Sequence, residues 1–198
     1  MKKLFKSVEK KEIKYQTIVY VFFGLGWGLA IPYFNVYMNN FLGIDADSIG
    51  IIFSLTEIAM VSALFLLPTL TNLFGRVKTV SFVQLLSIPF LLLFIGTESV
   101  ILVAISYIMR STLMNLANPI MNNLKLEIVE PEERSLMNSV TWMTCYIFVG
   151  VGTYIGGEML ALGYYKLPFI ITAFMYGIAA FLYHMFFFIY ENKMEVVN

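Results

Sequence analysis

Charged residues are few and clustered in this chain, and the stretches between the clusters are almost free of them. The sequence opens with MKKLFKSVEKKEIK (residues 1–14), carries GRVK at residues 75–78, and has EPEER at residues 130–134. Six apolar segments lie between such clusters: 15–38, 47–68, 79–96, 98–124, 135–161 and 166–190. A helix rises 1.5 Å per residue, so about 20 apolar residues cross ~30 Å of hydrocarbon. Each segment is near or above that length, and the third is the shortest. The expected fold is all-α and integral to a membrane: six transmembrane helices over 15–190, a basic cytoplasmic tail at 1–14 and a second tail at 191–198.

Composition agrees. Only 13% of residues are charged, while 59% are hydrophobic; a soluble domain carries about 25% charged residues. Zero net charge argues against a nucleic-acid partner. The single Cys145 lies in an apolar run, which excludes a disulfide scaffold and a thiolate metal site. The first segment is too long for a removable signal, and no small-x-small cleavage site follows Leu29–Ala30.

Orientation follows from lysine and arginine. Lys2, Lys3, Lys6, Lys10, Lys11, Lys14, Arg76, Lys78, Lys125, Arg134 and Lys193 fall on one side; only Lys166 falls on the other, and Arg110 lies within a helix. The cation-rich side is cytoplasmic by the positive-inside rule, so both termini are expected inside, in the plasma membrane. The lipid bilayer is the first partner. The basic tail can also touch anionic lipid, although topology accounts for it. Tyr164 and Tyr165 outside, and Tyr183, Tyr190 and Phe186–Phe188 inside, are expected at the interfaces.

Polar residues at membrane depth line a cavity or bond a neighbouring helix. In the fourth segment Ser111, Asn115, Asn118 and Asn122 recur at i, i+4, i+7 and i+11, one narrow stripe interrupted by Pro119. In the first, Gly24 and Gly28 make a small-xxx-small spacing, Pro32 permits a bend, and Asn35 follows Tyr33. In the fifth, Asn138, Trp142, Cys145, Gly152 and Gly156 share a face. The glycines read as packing surface; Asn138 and Trp142 are open to either role.

Glu57 and Arg110 are charges near mid-membrane, each costing on the order of 2.5–3.5 kcal/mol if it faced lipid. Counted from the outer helix ends they sit at about 15 and 18 Å, similar depths. Two readings stand: a buried ion pair, or a coupling site where Glu57 carries a proton. Arg110 is offset by about 100° from the Ser111 stripe, which on a straight helix puts the two on different faces. His184, near the inner end of the sixth segment, reads as an interfacial residue.

Enzyme chemistry is not expected. An intramembrane serine protease needs a Gly-x-Ser nucleophile facing a histidine, and no Gly-x-Ser occurs. With one histidine there is no zinc motif, and no glycine-rich phosphate loop is present. Neither metal nor cofactor is implied.

Four stretches, in order, carry a resemblance. PTLTNLFGRVKT (68–79) follows the pattern G-x-L-x-D-r-x-G-R-k at Leu70, Gly75 and Arg76, with Lys78 nearby; Pro68 and Asn72 replace its first glycine and its aspartate. YIMRSTLMN (107–115) places Arg110 as R-x-x-q-G does, without the Gln and Gly. EPEERSLMNS (130–139) is like P-E-E-R-x-x-x-x-S, and VGTYIGGEML (151–160) matches G-P-x-x-G-G at Gly152, Gly156 and Gly157, with Thr153 for the proline. The chain resembles the major facilitator superfamily over essentially its whole length.

The resemblance implies one six-helix half of a twelve-helix secondary transporter, more like the C-terminal half, with a nested three-plus-three repeat. It makes Asn72, Gly75, Arg76 and Lys78 a cytoplasmic gate loop, although Asn72 cannot form the ion pair of the family's aspartate. It favours a substrate pathway along the first and fourth helices, and so at Tyr33, Asn35 and the Ser111–Asn122 stripe. It further implies a small solute and a second six-helix bundle, either separately encoded or a second copy; the Asn-rich, nearly uncharged stripe suggests a solute that is polar and neutral or amphipathic. A non-transporting subunit and a fragment of a longer transporter are the alternatives.

Overall fold

The computed structural model describes residues 11–195; the basic residues up to Lys10 and the end of the second tail lie outside the described residues. Six helical spans are long and apolar enough to cross a membrane: Lys11–Phe41, Ala46–Leu64, Arg76–Gly96, Val100–Glu127, Pro131–Ala161 and Leu167–Phe188. Among the described residues there are no strands.

Local sequence sets where these helices break. The first runs regularly from Lys11 to Ala30, then tightens through a 3-10 turn at Ile31–Tyr33 around Pro32 and loosens to a π turn at Tyr37–Phe41. The second is capped by Asp45, whose carboxylate accepts from the Ser48 amide at 2.9 Å and its hydroxyl at 2.8 Å. Those two bonds hold the Asp45 carboxyl below its ordinary pKa. The second span ends at Leu64, short of the expected residue 68, because Pro68 starts a separate helix, Leu67–Phe74. That helix stops at Gly75, whose φ of 83° is a conformation that favours glycine. The fourth span breaks at Ala117 and restarts with Pro119 in its first turn, Asn118–Glu127.

The spans pack in an open arc with the order 5–1–6–3–4–2. Exchanging spans 1, 2 and 3 for 4, 5 and 6 leaves every main packing in place: 1 on 5 becomes 4 on 2, 1 on 6 becomes 4 on 3, and 3 on 6 maps to itself. That invariance is the three-plus-three repeat, present in the packing although no sequence similarity displays it.

Two buried clusters fill the arc. One gathers Tyr20, Phe23, Met114, Met121, Tyr176 and Tyr183; the other gathers Phe34, Tyr37, Phe94, Val103 and Phe169. Tyr183 and Phe187 thus lie in the core, stacked at 4.8 Å, and not at the interface where their position near a helix end suggested. The outer wall is apolar. A groove between spans 3 and 6 is lined by Ile88, Leu92, Phe174, Ile178 and Phe181, side chains that suit lipid.

Candidate functional site

A cavity of about 280 Å³ joins the two ends of the arc. Its walls follow helical spacing. Phe23, Trp27 and Ile31 come from the first span at i, i+4 and i+8; Thr56, Glu57 and Met60 come from the second. The fourth span gives the longest wall, with Tyr107, Arg110, Ser111, Met114, Asn115 and Asn118. Trp142 and Tyr176 close it from the fifth and sixth. The third span contributes nothing to the lining.

The expected stripe enters this cavity at three of its four positions. Ser111, Asn115 and Asn118 line it and bond one another: the Asn115 amide donates to the Ser111 carbonyl at 2.9 Å, and the Asn118 amide to the Asn115 side-chain oxygen at 3.1 Å. Asn122 is outside the lining, one turn beyond the Pro119 restart, with a buried side-chain oxygen lacking a partner.

Arg110 shares the cavity, contrary to the 100° separation read on a straight helix. The reason is breadth. Walls from five spans embrace more than one face of the fourth helix, and a long guanidinium chain reaches across the difference. Arg110 is 3% exposed and bridges the two buried clusters. It donates from Nη2 to the Tyr176 hydroxyl at 3.1 Å, and its guanidinium lies 5.1 Å from the Phe34 ring and 5.4 Å from that of Tyr176. Such ring contacts partly offset the cost of desolvating a cation. Its buried Nε has no partner. Glu57 lines the same cavity from the exposed flank of span 2, and among the described residues the two charges make no ion pair with each other.

The other expected positions lie elsewhere. The Tyr33 hydroxyl donates to the Thr153 carbonyl on the fifth span, and neither Tyr33 nor Asn35 lines the cavity. Asn138 is exposed outside it. The glycines form the seam between spans 1 and 5. A Cβ on Gly24 would fall 2.5 Å from the Cys145 carbonyl oxygen, one on Gly152 2.5 Å from that of Leu25, and one on Gly156 2.9 Å from that of Leu29. A Cβ on Gly28 would collide with the Val149 carbonyl, and one on Gly157 would crowd the Tyr33 hydroxyl at 2.9 Å. In the gate loop, Arg76 pairs with Glu127 at 2.7 Å, Lys78 sits over the Phe188 ring at 5.2 Å, and Asn72 is exposed.

Several site residues had no sequence signal. Phe23, Trp27 and Tyr107 repeat at helical spacing beside recognised positions and could have been read so; Tyr176 and Glu127 are brought in only by packing. Lys125 is the clearest surprise. Its place near a helix end reads as a loop cation, yet it is 1% exposed. Its ammonium lies 5.3 Å from the Tyr20 ring and 5.0 Å from Trp142, with no hydrogen-bond partner. The helix continues through Glu127, so the side chain points from its wall into the bundle instead of into a loop.

The family model for the Major Facilitator Superfamily matches residues 17–197, which takes in the first span from Thr17 and the other five whole. The chain belongs to the major facilitator superfamily. It is accordingly a multi-pass integral membrane protein of a transporter family, and its six-helix arc is the half bundle of that superfamily. No curated protein matches the chain. Within the superfamily half, the cavity lies where spans 1 and 4 meet the two arc ends, spans 2 and 5.

Proposed function

We propose that this chain is one half of a secondary transporter that moves a small solute by alternating access against a second six-helix bundle. The observation that carries this reading is the cavity. Arg110, Ser111, Asn115, Asn118 and Glu57 gather on the walls of one cavity in a mostly apolar chain, and they do so between the arc ends. Polar groups at that depth are costly, and a water-filled or solute-filled cavity is the setting that accommodates them. Rocking of one bundle on another about a site near the midplane is how two such halves transport. The second bundle is a second copy of this chain, a separately encoded half or the other half of a longer chain to which these spans belong.

Flux in proteoliposomes tests it. A solute carried by the wild-type chain, with its partner half where one copurifies, should move at least tenfold more slowly after Arg110→Gln or Asn115→Leu, with helical content unchanged. A chain that copurifies with another membrane protein and shows no flux of any solute, alone or in that complex, is a non-transporting subunit. Proton coupling is a second reading, favoured by Glu57 as the carboxylate on the cavity wall. Glu57→Gln should then abolish the response to a pH gradient; an unchanged response removes the idea.

A further inference from the structure

We propose that the cavity selects an amphipathic zwitterion, its carboxylate on Arg110, its ammonium on Glu57, and an aromatic or aliphatic body against the ring-rich wall. This rests on the transport reading and names the class of its solute. Arg110 and Glu57, two opposite charges, line one cavity and make no ion pair with each other. Arg110 is drawn to the sixth and first spans by the Tyr176 hydroxyl and by the Tyr176 and Phe34 rings, while Glu57 stands on the exposed flank of span 2. Arg110's partners are Tyr176 and Phe34, not Glu57.

An arginine kept there by ring faces and one neutral hydroxyl makes no ion pair with a carboxylate among the described residues. Its buried Nε still lacks an acceptor, and a guanidinium recognises a carboxylate through paired N–H donors. Glu57 offers the complementary acceptor to an ammonium. A solute with one charge would leave the opposite wall charge uncompensated once a second bundle closes the site from water; a zwitterion answers both. The same lining carries Phe23, Trp27, Tyr107 and Trp142, surfaces for an apolar body. The volume, about 280 Å³, is near the lower end of small-molecule sites and suits an amino-acid-sized solute.

The test uses the chain's own optics. Its two tryptophans, Trp27 and Trp142, both line the cavity, so intrinsic emission reports occupancy directly. The purified full chain in lipid nanodiscs is titrated with L-phenylalanine, with 3-phenylpropionate and with 2-phenylethylamine, which share a ring and differ in charge. Saturable change is expected with L-phenylalanine, at least tenfold weaker with either singly charged analogue. Arg110→Gln and Glu57→Gln should each weaken L-phenylalanine at least tenfold, whereas Arg110→Lys, which keeps the charge, should weaken it less than Arg110→Gln. Circular dichroism and gel filtration check that each variant is folded. Equal binding of 3-phenylpropionate and L-phenylalanine, indifferent to Glu57→Gln, overturns the proposal in favour of an anion site. Equal binding of 2-phenylethylamine, indifferent to Arg110→Gln, overturns it in favour of a cation site. Response to none of the three overturns it as well. In all three cases the transport reading stands or falls separately, on the flux of other solutes.

Discussion

The seam between spans 1 and 5 and the seam between spans 4 and 2 occupy equivalent places in the repeat, yet they are built from opposite materials. The first is a glycine interface: Gly28 packs on Gly152, Gly24 on Cys145 and Gly156 on Leu29, backbone against backbone, and a Cβ at any of the four glycines would strike a carbonyl oxygen or a ring. The second has no such contact. Residues 100–127 contain no glycine, and the Cβ position of Gly50 in span 2 has nothing within 4 Å. Side chains fill that seam instead, and Thr56, Glu57, Tyr107 and Arg110 border the cavity there. Symmetric topology therefore carries asymmetric chemistry. Close backbone approach replaces side-chain volume in one seam, and polar side chains have room in the other.

Substitutions across the two seams can break this contrast. Gly152→Leu should be the most damaging, because the neighbour it meets is backbone and cannot rotate away. A loss at or above the upper end of about 1–3 kcal/mol is expected, read as a collapse of monodisperse protein on gel filtration. A well-behaved Gly152→Leu protein would end the claim that the seam is closed by backbone contact. Lys125→Met comes next and has the opposite sign. The ammonium is buried against Tyr20 and Trp142 without a carboxylate or hydrogen bond, so an apolar chain of similar length should stabilise by about 1–2 kcal/mol. A lowered melting temperature would mean that the two ring contacts outweigh desolvation.

Tyr33→Phe removes one hydrogen bond across the glycine seam, to Thr153, and should cost about 1 kcal/mol in thermal or denaturant unfolding. At the far end of the scale, Gly50→Leu on the open face of span 2 should fall within about ±0.5 kcal/mol. A Gly50 variant as damaged as the Gly152 variant would show that backbone contact is not what makes Gly152 intolerant.

Much of the architecture was legible because membranes penalise charge so strongly. Six spans follow from where Lys, Arg, Asp and Glu do not occur, and the glycine faces follow from spacing alone. The Ser111, Asn115 and Asn118 wall was equally readable, since a helical period maps sequence onto one face. What escaped was anything requiring two helices at once. The angular offset of Arg110 says where its Cα points and nothing about how wide the opposing walls are. Lys125 was misread for a related reason: a cation near a helix end takes a loop or a core position according to neighbours on spans 1 and 5, more than a hundred residues away on the first and beyond Pro131 on the other. The helix restart at Pro119 was visible, but the length of the helix it begins was not.

The glycine seam also has a meaning in time. Tyr33 and Thr153 are 120 residues apart, and Gly26 and Thr172, bonded between spans 1 and 6, are 146 apart. During synthesis the first span enters the bilayer with its tightest contact surface facing no mate, while spans 2, 3 and 4 are made and can settle against one another. Only when the fifth and sixth emerge can they clasp the first. Trp27 and Trp142, which face the same cavity from spans 1 and 5, come together in that last step. The cavity is thus completed only after spans 5 and 6 are made, and an arrest before span 5 would leave four spans without it.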